Sequence, residues 1–109
     1  ALAQHDDEIV LICSGWRGRL SLEDTLFAGS LIHKMCDGNL PDATKDGAKV
    51  AFGLYEKFGH NLEETISKSD HAYRLRNLVP EGDIAFCCQV DHFDVLPGMK
   101  DGLITNLNG

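Results

Sequence analysis

What this sequence lacks narrows its possibilities before any motif is read. No apolar run exceeds five residues, against the ~20 that a helix needs to cross a bilayer, so no membrane span is expected. Lys and Arg number 10 against 17 Asp and Glu, for a net charge of −7. No basic stripe is left that could release the counterions of a nucleic-acid backbone, and attachment to a membrane surface is disfavoured for the same reason. The four cysteines, at 13, 36, 87 and 88, form no C-x-x-C pair and no zinc-type spacing, a usage that suits a reducing cytoplasm better than a disulfide-stapled secreted fold. The five histidines share no spacing, so a histidine metal cluster is not expected. There is no initiator methionine, targeting pattern, internal repeat or low-complexity linker.

The stretch around which the rest is organised is Glu8–Asp24. Ile9–Cys13 is apolar on both faces, the pattern of a central strand in a parallel sheet. Gly15 and Gly18 allow a sharp turn and a close approach of backbone to ligand. Ser21 is a good N-cap for the helix that follows. In α/β proteins, ligands gather where strands end and helices begin.

Helices are expected over Leu22 to about Cys36, from an Asp42 cap to Gly59, over Asn61–Lys68, from Ser69 or Asp70 to near Leu78, and over Asp83 to about Val90. Gly29 inside the first predicts a close approach of another backbone, and Gly38 a left-handed cap. Val95–Ile104 reads as a hairpin turning at Asp101-Gly102, with Pro97 confined to an edge. Ala1–Asp7 is read as a helix end or a polar approach to the strand.

The expected fold is α/β and helix-rich, one segment spanning 1–109, with one buried central strand and a C-terminal hairpin. A strand buried on both faces needs neighbours on both edges, and this chain supplies none. The remaining strands are therefore expected from an N-terminal half outside this chain, or from another chain. Unpaired edges would also invite homo-oligomerisation.

Several residues carry candidate chemistry. Glu23 and Asp24 in a first helical turn suit a hard cation such as Mg²⁺, yet Ser21-x-x-Asp24 is equally a capping pattern and first-turn acids complement the helix dipole. Arg17 and Arg19 could fork onto phosphate or sulfonate oxygens, aided by helix-terminal N–H groups, or simply lie solvated among the excess acids. The glycines are not a Walker loop, because the required Lys-Ser/Thr is absent. His71 and Arg74 stand one turn apart on one helix face, fit for a general acid beside an anion holder or for a plain surface contact. Asp91 and Asp94 read either as loop caps or as groups reaching a site.

The ordered set Cys13-Ser14-Gly15-x-x-Gly18-x-x-Ser21-x-Glu23-Asp24, Ala28-Gly29, Asp42-Ala43, Ser69-x-His71-x-x-Arg74-Leu75, Asp83-x-x-x-Cys87, Asp91-x-x-x-Val95-x-Pro97 and Gly102 resembles the C-terminal half of the 2-phosphosulfolactate phosphatase family. The resemblance implies an α/β phosphohydrolase that uses Mg²⁺ to cleave 2-phospho-3-sulfolactate on the route to coenzyme M. It implies Glu23 and Asp24 as metal ligands, with His71 joining them as a catalytic group. Gly15, Arg17, Gly18, Ser21 and Arg74 would bind a small phosphorylated, sulfonated acid. A non-catalytic anion-binding or regulatory domain of the same fold is the rival expectation.

Overall fold

Ser21 opens the longest helix as its sequence demands. It lies in extended backbone (φ −103°, ψ 126°) and its hydroxyl accepts the Asp24 N–H at 3.3 Å, satisfying a donor that the first turn of a helix leaves over. The computed structural model describes residues 7–109; of the approach expected over Ala1–Asp7, only Asp7 falls within it. Helix α1 runs Leu22–Met35. It ends where Gly38 N–H reaches back to the His33 carbonyl at 3.0 Å, with Asp37 and Gly38 both left-handed at φ 49° and 74°. That is the glycine-assisted stop foreseen at Gly38.

Helix α2, Asp46–Phe58, packs along α1 to form the centre of the molecule. It starts later than expected. Pro41 and Asp42 lie in a turn closed by Thr44 N–H to the Pro41 carbonyl at 3.0 Å, and Lys45 takes the cap position. The helices meet at Gly29, where an added Cβ would strike the Ala51 carbonyl and lie 2.8 Å from Tyr55 Cβ. The close backbone approach expected of Gly29 is therefore real. Leu26, 2% exposed, is the most deeply buried large side chain, and Ala28 and Ala51 are buried as well; enclosing a leucine contributes about 2–3 kcal/mol. His33 ties the pair together, its Nε2 2.7 Å from Glu56 Oε1 and its ring stacked on Phe52.

A turn of 3₁₀ helix over Gly59–Asn61 leads to α3, Leu62–Ser67, and then to α4, Asp70–Leu75, and α5, Asp83–Cys87. At α3 Asn61 bonds to the Glu64 carboxylate, side chain to side chain, and caps no backbone N–H. Ser69 caps α4 by accepting Ala72 N–H at 3.1 Å. Both α4 and α5 stop earlier than the sequence predicts, at Leu75 and Cys87. Asp91 is tied back to α1 by Lys34 at 3.3 Å.

The only sheet among the described residues is antiparallel, β1 (Pro97–Lys100) against β2 (Leu103–Asn106), in register Pro97↔Asn106 to Lys100↔Leu103. It turns at Asp101-Gly102, both left-handed, as expected. The buried central strand is not formed. Ile9–Cys13 pairs with nothing among the described residues, and Val10 and Ile12 are 72% and 90% exposed. The physical reason is the lack of a partner: a strand exists only through the ladder it joins, and the hairpin's two strands are matched to each other. The segment instead borders an open, mainly apolar groove of about 990 Å³ that runs along one side of α1 and beside the N-terminal half of α2.

Candidate functional site

The glycine turn ahead of α1 is built from three local constraints. Trp16 and Arg19 exchange both backbone hydrogen bonds, at 3.0 and 2.9 Å, closing a two-residue loop. Arg17 and Gly18 at its tip are left-handed, φ 49° and 75°, as the primed turn requires. Gly15, also left-handed at φ 65°, lies so close that a Cβ there would be 2.5 Å from the Arg19 carbonyl. The Asp24 carboxylate then fastens the turn to the helix, accepting Gly15 N–H on Oδ2 at 2.8 Å.

This turn faces α4 across a cavity of about 460 Å³ whose wall includes Arg17, Arg19, Glu23, Asp70, His71 and Arg74. Three of the chain's four arginines thus meet at one cavity. Arg74 Nη2 lies 2.6 Å from His71 Nδ1, and Glu23 Oε1 stands 3.3 Å from the same nitrogen. A guanidinium can only donate and a carboxylate can only accept, so Nδ1 serves Arg74 as an acceptor when bare and Glu23 as a donor when protonated. Glu23 Oε2 is buried and has no hydrogen-bond partner. A buried unpaired carboxylate oxygen is costly unless a donor or a cation meets it.

The residues singled out from sequence divide accordingly. Arg17, Ser21, Glu23, His71 and Arg74 come together on the cavity wall. Ser21 does so with its hydroxyl already engaged as the α1 cap. Gly15 and Gly18 border the apolar groove on the other side of the turn, and they shape the site through its backbone. Glu23 and Asp24 part company: one carboxylate faces His71 while the other turns back to Gly15. Among the described residues, no three His, Cys, Asp or Glu side chains gather around a common point fit for a metal. Glu23 fits a cation through its unpartnered oxygen; Asp24 Oδ2 is already held by a backbone donor.

Trp16 and Asp70 are site residues that sequence reasoning missed. Trp16 is the single tryptophan of the chain and sits between the two glycines, a signal available from composition. Its ring lies 4.5 Å from the Arg74 guanidinium carbon and 5.5 Å from that of Arg17. Asp70 was read only as a helix cap.

A family model described as 2-phosphosulpholactate phosphatase matches residues 1–102. A probable 2-phosphosulfolactate phosphatase of Thermotoga maritima is 37% identical over 97 residues, covering 89% of this chain and 41% of the relative. One from Caldanaerobacter subterraneus is 32% identical over 104 residues, covering 94% and 42%. Another, from Thermosynechococcus vestitus, is 38% identical over 99 residues, covering 86% and 41%. The chain therefore spans about two-fifths of the length of these relatives. No solved structure matches it. No helix among the described residues is long and apolar enough to cross a membrane. The chain belongs to the 2-phosphosulpholactate phosphatase family.

Proposed function

We propose that this chain is part of a cytoplasmic, Mg²⁺-dependent phosphatase that hydrolyses 2-phospho-3-sulfolactate to 3-sulfolactate, on the route to coenzyme M. The observation that carries the reading is the convergence of Arg17, Arg19 and Arg74 with a His71–Glu23 pair on one cavity, in a chain of net charge −7. The names of the relatives supply the substrate. Residues 1–109 form the C-terminal part of one larger domain. The Ile9–Cys13 run joins a layered sheet once strands of an N-terminal half are alongside it, and homo-oligomerisation is a second way to cover its exposed side chains.

The chemistry follows from the geometry. The three guanidiniums fork onto the phosphoryl oxygens and the neighbouring sulfonate or carboxylate of the substrate, favouring the charge that develops in transfer. When Arg74 turns to the phosphoryl oxygens it leaves Nδ1 to Glu23, and the protonated ring presents its Nε2 proton to the departing alkoxide. Water attacks phosphorus in line, the phosphorus–alkoxide bond breaks, the alkoxide takes the Nε2 proton of the imidazolium, and the neutral ring recovers a proton from the attacking water. Glu23, near His71 Nδ1, stabilises the ring when it recovers a proton. Mg²⁺ would be held by Glu23 together with substrate and water, since this ion needs only one or two carboxylates; when bound it would neutralise charge on the phosphoryl oxygens. The sequence also names Asp24 as a ligand, a role it could take only by yielding its hold on Gly15 N–H.

Phosphate release from 2-phospho-3-sulfolactate, with and without Mg²⁺, tests this reading on the chain alone and joined to the additional length its relatives carry. Glu23→Gln is expected to lower turnover about a hundredfold or more. Full activity in both Glu23→Gln and Asp24→Asn would remove the metal-ligand assignment. A second reading, anion binding without turnover, is supported by the structural use of Asp24, whose carboxylate is engaged by Gly15 N–H. It predicts phosphate binding with no hydrolysis in the longer protein.

A further inference from the structure

We propose that Trp16 is a positioning residue for the anion site: its indole face holds the guanidiniums of Arg17 and Arg74 in place, so that two forks address one small dianion. The proposal rests on the anion-binding reading above and adds a residue to which neither spacing nor family resemblance gives a role.

Four observations meet at this ring. Arg17 comes from the turn and Arg74 from α4, yet both guanidinium carbons lie over the same indole, at 5.5 and 4.5 Å. His71 presents itself edge-on to the ring, with centroids 6.2 Å apart and planes at 82°. The ring itself is set from below, because Trp16 exchanges two backbone hydrogen bonds with Arg19. And the side chain is 44% exposed, so the indole forms a wall of the cavity and is not enclosed as core. A free arginine loses considerable rotamer freedom when it binds an anion. A flat aromatic face that already holds the guanidinium plane reduces what is left to lose, and it does so without neutralising the charge. A carboxylate partner would hold the arginine equally well but would cancel the attraction for a ligand. Two cations fixed over one ring repel each other in the empty cavity, and a doubly charged oxyanion relieves that repulsion more fully than a monoanion.

The single tryptophan makes the test direct, since all indole emission of the chain comes from this site. Inorganic phosphate and sulfate, titrated at constant ionic strength against nitrate, are expected to change Trp16 emission in a saturable way, and nitrate is not. By calorimetry, Trp16→Leu is expected to weaken phosphate binding about tenfold, the loss of partly exposed cation–π contacts to two guanidiniums, while Trp16→Phe recovers most of it. Circular dichroism monitors the fold of each variant. If Trp16→Leu does not fold, Arg74→Gln carries the test, because it must shift the emission of the ligand-free chain. Phosphate binding that Trp16→Leu leaves unchanged, or unshifted emission in Arg74→Gln, overturns the platform alone. Absence of phosphate binding in the unmodified chain overturns the anion-site reading and the platform with it.

Discussion

The chain makes the same kind of two-residue turn twice, and the two differ in what occupies the tip. At Lys100–Leu103 the tip is Asp101-Gly102, left-handed at φ 51° and 78°, and it joins two strands exposed to solvent. Asp tolerates that backbone region because its short side chain can bond locally. At Trp16–Arg19 the tip is Arg17-Gly18, at φ 49° and 75°. A long side chain gains nothing from a left-handed backbone and loses about 1 kcal/mol by adopting it. The first turn follows the rule for hairpins. The second breaks it with a residue that faces the arginine-lined cavity, the kind of place where local strain is usually retained for function.

The difference can be attacked from both ends. The largest expected effect is at Gly15, next to the strained turn. Gly15→Ala should cost about 3 kcal/mol or more in thermal or denaturant melts, since the new Cβ meets the Arg19 carbonyl at 2.5 Å as well as a left-handed φ. Gly102→Ala has the same backbone penalty but open space around it, and should cost about 1 kcal/mol. Equal losses would mean that the two turns are equally relaxed.

Asp24→Ala comes next. It leaves the part-buried Gly15 N–H without its acceptor and should cost about 1–2 kcal/mol. Amide exchange should quicken at Gly15–Arg19 and not at Lys100–Leu103. A smaller, reciprocal effect is expected from exchanging tip residues. Arg17→Asn should stabilise the chain by about 0.5 kcal/mol and weaken phosphate binding, whereas Asp101→Arg should destabilise by a similar amount without touching binding. If Arg17→Asn destabilises, the turn is not under strain.

The smallest effect serves as a control distant from both turns. Lys68, 2.6 Å from Glu64, together with Asn61, holds the Glu64 carboxyl below its ordinary value of 4.5. A carboxyl depressed in the folded chain adds stability above its unfolded pKa and loses it as pH falls through the folded one. Lys68→Met should therefore return the Glu64 titration, followed by NMR, toward 4.5, with scarcely any change in the melting of either turn.

How much of this could be read in advance depended on whether the signal was local. Ser21, Gly38, Ser69 and Asp101-Gly102 took the caps and turn expected of them because each satisfies backbone groups within a few residues. Gly29 was legible because glycine inside a helix is costly and a close backbone approach is one reason for it, although Gly53 inside α2 meets no such neighbour. Ile9–Cys13 was read as a buried strand whose partners lie outside the chain; among the described residues it forms no strand, because apolarity states a preference for burial and a strand needs a partner edge to form. In the site, the His71–Arg74 contact followed from helical spacing. The separation of Glu23 from Asp24 did not, because the hold of Gly15 on Asp24 comes from a turn nine residues earlier. Trp16 was overlooked for another reason: aromatic residues are read first as core, and its role is visible only once arginines from two elements lie over one ring.

The contact at Gly29 has a mechanical consequence. With the α2 backbone occupying the space a side chain would have filled, the crossing at Gly29 leaves no void for compression to eliminate. The large groove beside Ile9–Cys13 is open, so water already fills it and hydrostatic pressure gains nothing there. Since the volume released on unfolding scales with enclosed empty space, this helical pair should withstand pressure better than its modest core would suggest, while remaining vulnerable to heat.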